Sequence, residues 1–71
     1  MPIVEVKMAA GRTREQKRAL VDGIVDAVAS ACRVSESGVH VLIHEFEPDA
    51  WADGKLFLFE QDGHPPAGLP D

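Results

Sequence analysis

A helical pattern of roughly five turns stands between two short segments of alternating apolar and polar residues, and this order leaves few folds open. Residues 3–8 read IVEVKM. Val4, Val6 and Met8 project to one side and Ile3, Glu5 and Lys7 to the other, the period of two that marks a strand. Ala9, Ala10 and Gly11 then turn the chain. Thr13-Arg14-Glu15-Gln16 fits a capping box, in which Gln16 reaches back to the Thr13 backbone. Leu20, Ile24, Ala27, Val28 and Ala31 recur at spacings of three and four, flanked by Val21 and Val25, so the helix is predicted to end near Cys32 or Arg33. Arg14, Lys17, Arg18, Asp22 and Asp26 make its solvated side. After a connector at 35–38, residues 39–46 (VHVLIHEF) form the second strand. Val39, Val41 and Ile43 share one face; His40, Leu42, His44 and Phe46 share the other. A strand, a helix of this length and a strand make a βαβ unit with parallel strands. The predicted class is therefore α/β: a small βαβ subunit followed by a short C-terminal strand or hairpin.

The rest of the chain bears on assembly. Turn residues fill 48–54, and LFLF at 56–59 is apolar on both faces, which predicts docking against another subunit. The tail, from about 60 to 71, holds three prolines and two glycines and reads as irregular. Residues 1–71 make one domain without internal repeats. A chain this short buries only about 60% of its unfolded surface. Small domains usually add a disulfide, a metal or oligomerisation. Cys32 is the single cysteine, so no intrachain disulfide can form, and it is expected to pack at the helix end rather than act as a nucleophile. His40 and His44 share a face but stand roughly 13 Å apart on a strand, too far for one ion, and no HExxH motif is present. No metal is expected, and assembly with other copies becomes the favoured staple. Twelve acids against seven bases give a net charge of -5 without a Lys/Arg run, which argues against a nucleic-acid partner. No apolar run approaches about 18 residues, and no signal peptide is visible. A soluble, cytoplasmic protein without membrane contact is expected.

The start Pro-Ile-Val at 2–4, GRTREQKRALV at 11–21 and VHVLIHEF at 39–46 together resemble the 4-oxalocrotonate tautomerase family. The likeness covers roughly residues 2 to 55. Three features in fixed order carry it: proline directly after Met1, Gly-Arg-Thr at the helix entrance, and a βαβ unit of this length. The segment is also similar to one subunit type of the related 3-chloroacrylic acid dehalogenases. The resemblance implies that Met1 is removed, that the freed Pro2 nitrogen is the catalytic group, and that subunits assemble as hexamers built from dimers. It implies no cofactor.

Elementary chemistry supports such a role. A free α-amino group has a reference pKa of about 7.7 to 8.0. An apolar pocket disfavours its charged form, and a nearby cation such as Arg12 acts the same way. The product is a neutral general base near physiological pH, held rigidly by the first strand. The plain alternative is that Pro2 only begins an edge strand, where its missing N–H is harmless. Arg12 follows Gly11 ahead of the helix, where unpaired N–H groups and the helix dipole favour anions and a guanidinium adds a fork for a carboxylate. The resemblance implies that Arg12 binds the substrate carboxylate and draws electron density from the reacting end.

His40 stands where the familiar tautomerase carries a second arginine. Histidine clamps an anion only when protonated, so substrates with one carboxylate stand open beside dicarboxylates. His44 is expected to make a polar or subunit contact. Trp51 falls where the family places an aromatic wall of the active site. Asp53 matches an acidic position that activates water in the dehalogenase branch, although Asp53-Gly54 also reads as a plain turn. The expected function is cofactor-independent tautomerisation of an enolic or unsaturated 2-oxo acid. Pro2 and Arg12 are catalytic; Arg12, His40 and Trp51 bind the small-molecule carboxylate in a homo-oligomer. The alternatives are hydration or dehalogenation through Asp53, and a non-catalytic oligomer that binds a small acid.

Overall fold

Thr13 starts the helix as its sequence requires. Its side-chain oxygen accepts from the Gln16 backbone N–H at 3.1 Å, and Gln16 Oε1 accepts from the Thr13 N–H at 2.8 Å. Both bonds satisfy donors that a helix start leaves without intrahelical partners. Thr13→Ala is expected to cost about 1 kcal/mol. Chemical denaturation at fixed protomer concentration checks it, and an unchanged midpoint would count against the cap.

The computed structural model describes residues 1–61. From residue 62 onward, the expected irregular tail lies outside the described residues. Strand β1 spans Ile3–Ala9, helix α1 Arg14–Cys32 and strand β2 His40–Phe46, with a 3-10 turn at Glu36–Gly38 before β2. Two short strands follow, β3 at Ala52–Asp53 and β4 at Leu56–Phe57, and a 3-10 turn at Leu58–Glu60. β1 and β2 pair in parallel from Ile3 opposite His40 to Ala9 opposite Phe46; β3 and β4 pair antiparallel. This is the predicted βαβ unit with its short hairpin.

Both β1 and β2 alternate as read from sequence. Val4, Val6, Met8, Val41 and Ile43 are half-buried, whereas Ile3, Glu5, Lys7, His40, Leu42 and His44 are exposed. Phe46 lies half-buried on the exposed parity because Trp51 meets it edge to face, with ring centroids 6.2 Å apart.

The helix stripe differs from the expectation. Lys17, Leu20, Val21, Ile24, Val25, Val28 and Ala29 are half-buried, whereas Ala27 and Ala31 are exposed. A ribbon of two strands is too narrow to cover the whole apolar arc, so its alanine flank is left open. Cys32 also differs: it is the last helical residue, as expected, but it is exposed rather than packed. LFLF divides between structures. Leu56 and Phe57 form β4, while Leu58 and Phe59 enter the final turn, where Glu60 Oε1 accepts from the Phe57 N–H at 3.0 Å.

Among the described residues Leu58, 7% exposed, is the one buried large hydrophobic residue, and Pro48 is fully buried, its carbonyl accepting from the Phe59 N–H at 3.4 Å. No residue of α1 is fully buried. Ile3, Leu42, Leu56, Phe57 and Phe59 keep much of their surface open, and Phe57 stacks on Phe59 with centroids 5.4 Å apart. Among the described residues no helix is long and apolar enough to cross a membrane.

Candidate active site

Strand β1 places the candidate residues at two distant ends. Pro2 precedes it, half-buried, and its carbonyl accepts from the His40 N–H at 3.0 Å. His40 begins β2 opposite Ile3, so Pro2 and His40 share one end of the ribbon. Arg12 lies past the other end. There the Ala10 N–H donates to the Phe46 carbonyl at 2.8 Å, holding the turn onto the end of β2. Gly11 follows with φ 122°, a conformation that L side chains rarely adopt, and this bend aims the chain into the helix. With about 3.3 Å per strand residue, Pro2 stands roughly 20 Å from the Arg12 end of its own chain.

Arg12 is half-buried and lines a cleft of about 280 Å³ with Met8, Gln16, Lys17 and Leu20. The helix spacing explains the set: Gln16 and Leu20 lie four and eight residues beyond Arg12, one above the other on a helix. Lys17 Nζ contacts Glu45 Oε2 at 2.9 Å, which ties the first helical turns to the end of β2 beside this cleft. Arg12 thus stands where a helix N-terminus adds its own positive potential.

Trp51 lies near the same end of the ribbon. A second cleft, of about 340 Å³, is formed by Lys7, Phe46, Ala50, Trp51 and Ala52. Three contacts fix Trp51. The indole edge meets Phe46, Nε1 donates to Asp53 Oδ1 at 3.2 Å, and the backbone carbonyl accepts from the Leu58 N–H at 2.9 Å. Gln61 Nε2 donates to the other Asp53 oxygen at 3.0 Å. Both Asp53 oxygens therefore brace the hairpin, and Gly54, at φ 61°, completes the turn beside it.

His44 Nε2 stands 3.9 Å from Glu5 Oε2 on the exposed sheet face. Among the described residues no group of three or more His, Cys, Asp or Glu side chains is gathered to hold a metal ion. Within one chain, then, Arg12 and Trp51 share an end, Pro2 and His40 share the opposite end, and the two pairs do not meet. The sequence places Lys7 only on the face of β1 that it shares with Ile3 and Glu5. That it lines one cleft with Trp51, some forty residues away, carries no local signal. The residues around Arg12 were legible in principle, because the i+4 and i+8 positions of a capped helix follow from the sequence.

Comparison with known proteins agrees with this architecture. The family model for tautomerase enzymes matches residues 2–57. A probable tautomerase of Halalkalibacterium halodurans is 45% identical over 49 residues, covering 69% of this chain and 80% of that protein. The 2-hydroxymuconate tautomerase of Bacillus subtilis is 46% identical over 52 residues, covering 73% and 84% respectively. Among solved structures, a heterohexamer 4-oxalocrotonate tautomerase from Chloroflexus aurantiacus superposes with a TM-score of 0.78 at 32% identity, covering 84% of this chain and 97% of that one. A structure solved to analyse trans-3-chloroacrylic acid dehalogenase activity superposes with a TM-score of 0.72 at 30% identity, covering 80% and 98%. The parallel βαβ unit, its hairpin and these matches agree: the chain belongs to the tautomerase family and is an isomerase of the 4-oxalocrotonate tautomerase type.

Proposed function

We propose that this chain is a cofactor-independent tautomerase of enolic or unsaturated 2-oxo acids, with Pro2 as general base once Met1 is removed. With Met1 attached, the Pro2 nitrogen is a tertiary amide and takes no proton. Without Met1, it is a cyclic secondary amine at the head of β1. It takes a proton from the enol hydroxyl or an acidic carbon and returns it elsewhere along the conjugated system. Arg12 holds the carboxylate and draws electron density toward it, His40 assists binding, and Trp51 supplies the apolar wall that keeps the amine dehydrated.

The observation that carries the reading is the half-buried Arg12 at a capped helix start, in a chain that belongs to the tautomerase family. Because Pro2 and Arg12 lie at opposite ends of β1, the working site joins Pro2 of one chain to Arg12 and Trp51 of another. The near absence of a private core, with Leu58 the one buried large hydrophobic among the described residues, supports the same conclusion. A homohexamer built from dimers is the assembly we infer, each subunit a single domain acting in the cytoplasm. The exposed Leu56, Phe57 and Phe59 are its foremost contact residues.

The pH profile tests the base. Tautomerisation of an enol acid is expected to rise about tenfold per pH unit on the acidic limb, until the amine is neutral. Hydration with a protonated Pro2 falls over the same range, so a falling profile would overturn the assignment. The engagement of both Asp53 oxygens within the hairpin favours tautomerisation over an Asp53-activated water.

A further inference from the structure

We propose that Lys7 and Trp51 form a subsite for a planar organic acid, the Lys7 ammonium taking the carboxylate and the indole taking the unsaturated body. The inference rests on the proposed function in one respect: it treats this cleft as belonging to the substrate's path.

Lys7 is the single charged residue among the five that line the cleft; Phe46, Ala50, Trp51 and Ala52 supply its apolar wall. A volume of about 340 Å³ suits a small ligand rather than a macromolecule. An apolar wall with one well-placed charge is the usual chemistry of a site for a small organic anion. Lys7 makes no ion pair among the described residues. The carboxylate on its own strand, Glu5, lies beside His44 instead. Asp53 stands nearby in sequence to Trp51, but both its oxygens accept from Trp51 and Gln61. Glu47 and Asp49 are not among the lining residues. The indole is held in place by Phe46 and Asp53, so a ligand that stacks there orders little protein.

Position adds a second argument. Lys7 and Arg12 flank the same end of β1, one on each side of the sheet. His40 begins β2 at the opposite end of the same chain. The cation that lines the Trp51 cleft is therefore Lys7, and His40, at the far end of the same chain, takes no part in this subsite.

Trp51 is the single tryptophan of the chain, so its fluorescence reports this cleft directly. The probe is trans-cinnamate, a planar acid with nothing to tautomerise, compared with the uncharged trans-cinnamamide. Cinnamate is expected to quench wild-type fluorescence saturably, and the amide to bind at least about tenfold more weakly, as expected for loss of a charge-assisted contact. Lys7→Met, which keeps the apolar stem, is expected to weaken cinnamate about tenfold and to leave the amide unchanged. Lys7→Arg is expected to restore binding to within about threefold, and Lys55→Met, at a lysine outside the cleft lining, to alter it by less than that. Equal affinity for acid and amide on the wild-type protein overturns the proposal without any substitution, and so does cinnamate binding that is unchanged in Lys7→Met. Pro2→Ala separates the two readings, because quenching is independent of turnover. Lost turnover with binding indifferent to Lys7 sinks the subsite and keeps the base; the reverse pattern sinks the base and keeps the subsite.

Discussion

Pro2→Ala in the Met1-free protein lowers kcat/KM on an enolic 2-oxo acid such as phenylenolpyruvate by about 10²–10⁴-fold, the usual contribution of a positioned general base. Alanine leaves a primary amine on a freely rotating terminus, so both the rigid ring and the secondary nitrogen are lost together. A protein that keeps Met1 shows a loss of the same size, since its Pro2 nitrogen is an amide. Intact mass identifies which form is present, and size-exclusion chromatography checks that assembly is unchanged. Equal rates for the wild-type and Pro2→Ala proteins would remove the base from the mechanism.

Mixing two inactive variants restores activity. Arg12→Ala and Pro2→Ala each disable every site when assembled alone. If Pro2 and Arg12 act in one site, as proposed, the roughly 20 Å of strand between them requires that site to draw them from different chains. In a randomly mixed assembly refolded from equal amounts, a site is intact when its proline comes from an Arg12→Ala chain and its arginine from a Pro2→Ala chain. Specific activity is then expected to return to roughly one quarter of wild type, given equivalent subunits in a symmetric oligomer. Each variant refolded alone stays inactive. Were both residues of a site to come from one chain, the mixture would recover nothing.

Local signals were legible wherever one element's own residues decide the outcome. Thr13 and Gln16 cap each other within a single turn, so four letters sufficed to start α1. The alternation in β1 and β2 was equally plain, because the helix covers one side of each strand. Ala27 and Ala31 went astray because an apolar arc states what a helix is able to bury, not what lies over it. The short C-terminal hairpin was read correctly, and Leu56 and Phe57 form its second strand before the turn at Leu58–Glu60. The positions of Pro2 just before β1 and of Arg12 just before α1 were legible from sequence. The Lys7 cleft was not, since residue 7 meets 46 and 50–52 only after the hairpin folds back.

Strand β1 has a consequence for how such a chain tolerates change in length. It works as a ruler whose seven residues set the spacing between Pro2 at one mark and Arg12 at the other. Deleting or inserting a single residue would turn every side chain beyond it to the opposite face and would shift both marks against neighbouring copies at once. A change of length inside this segment is therefore expected to disable the chain.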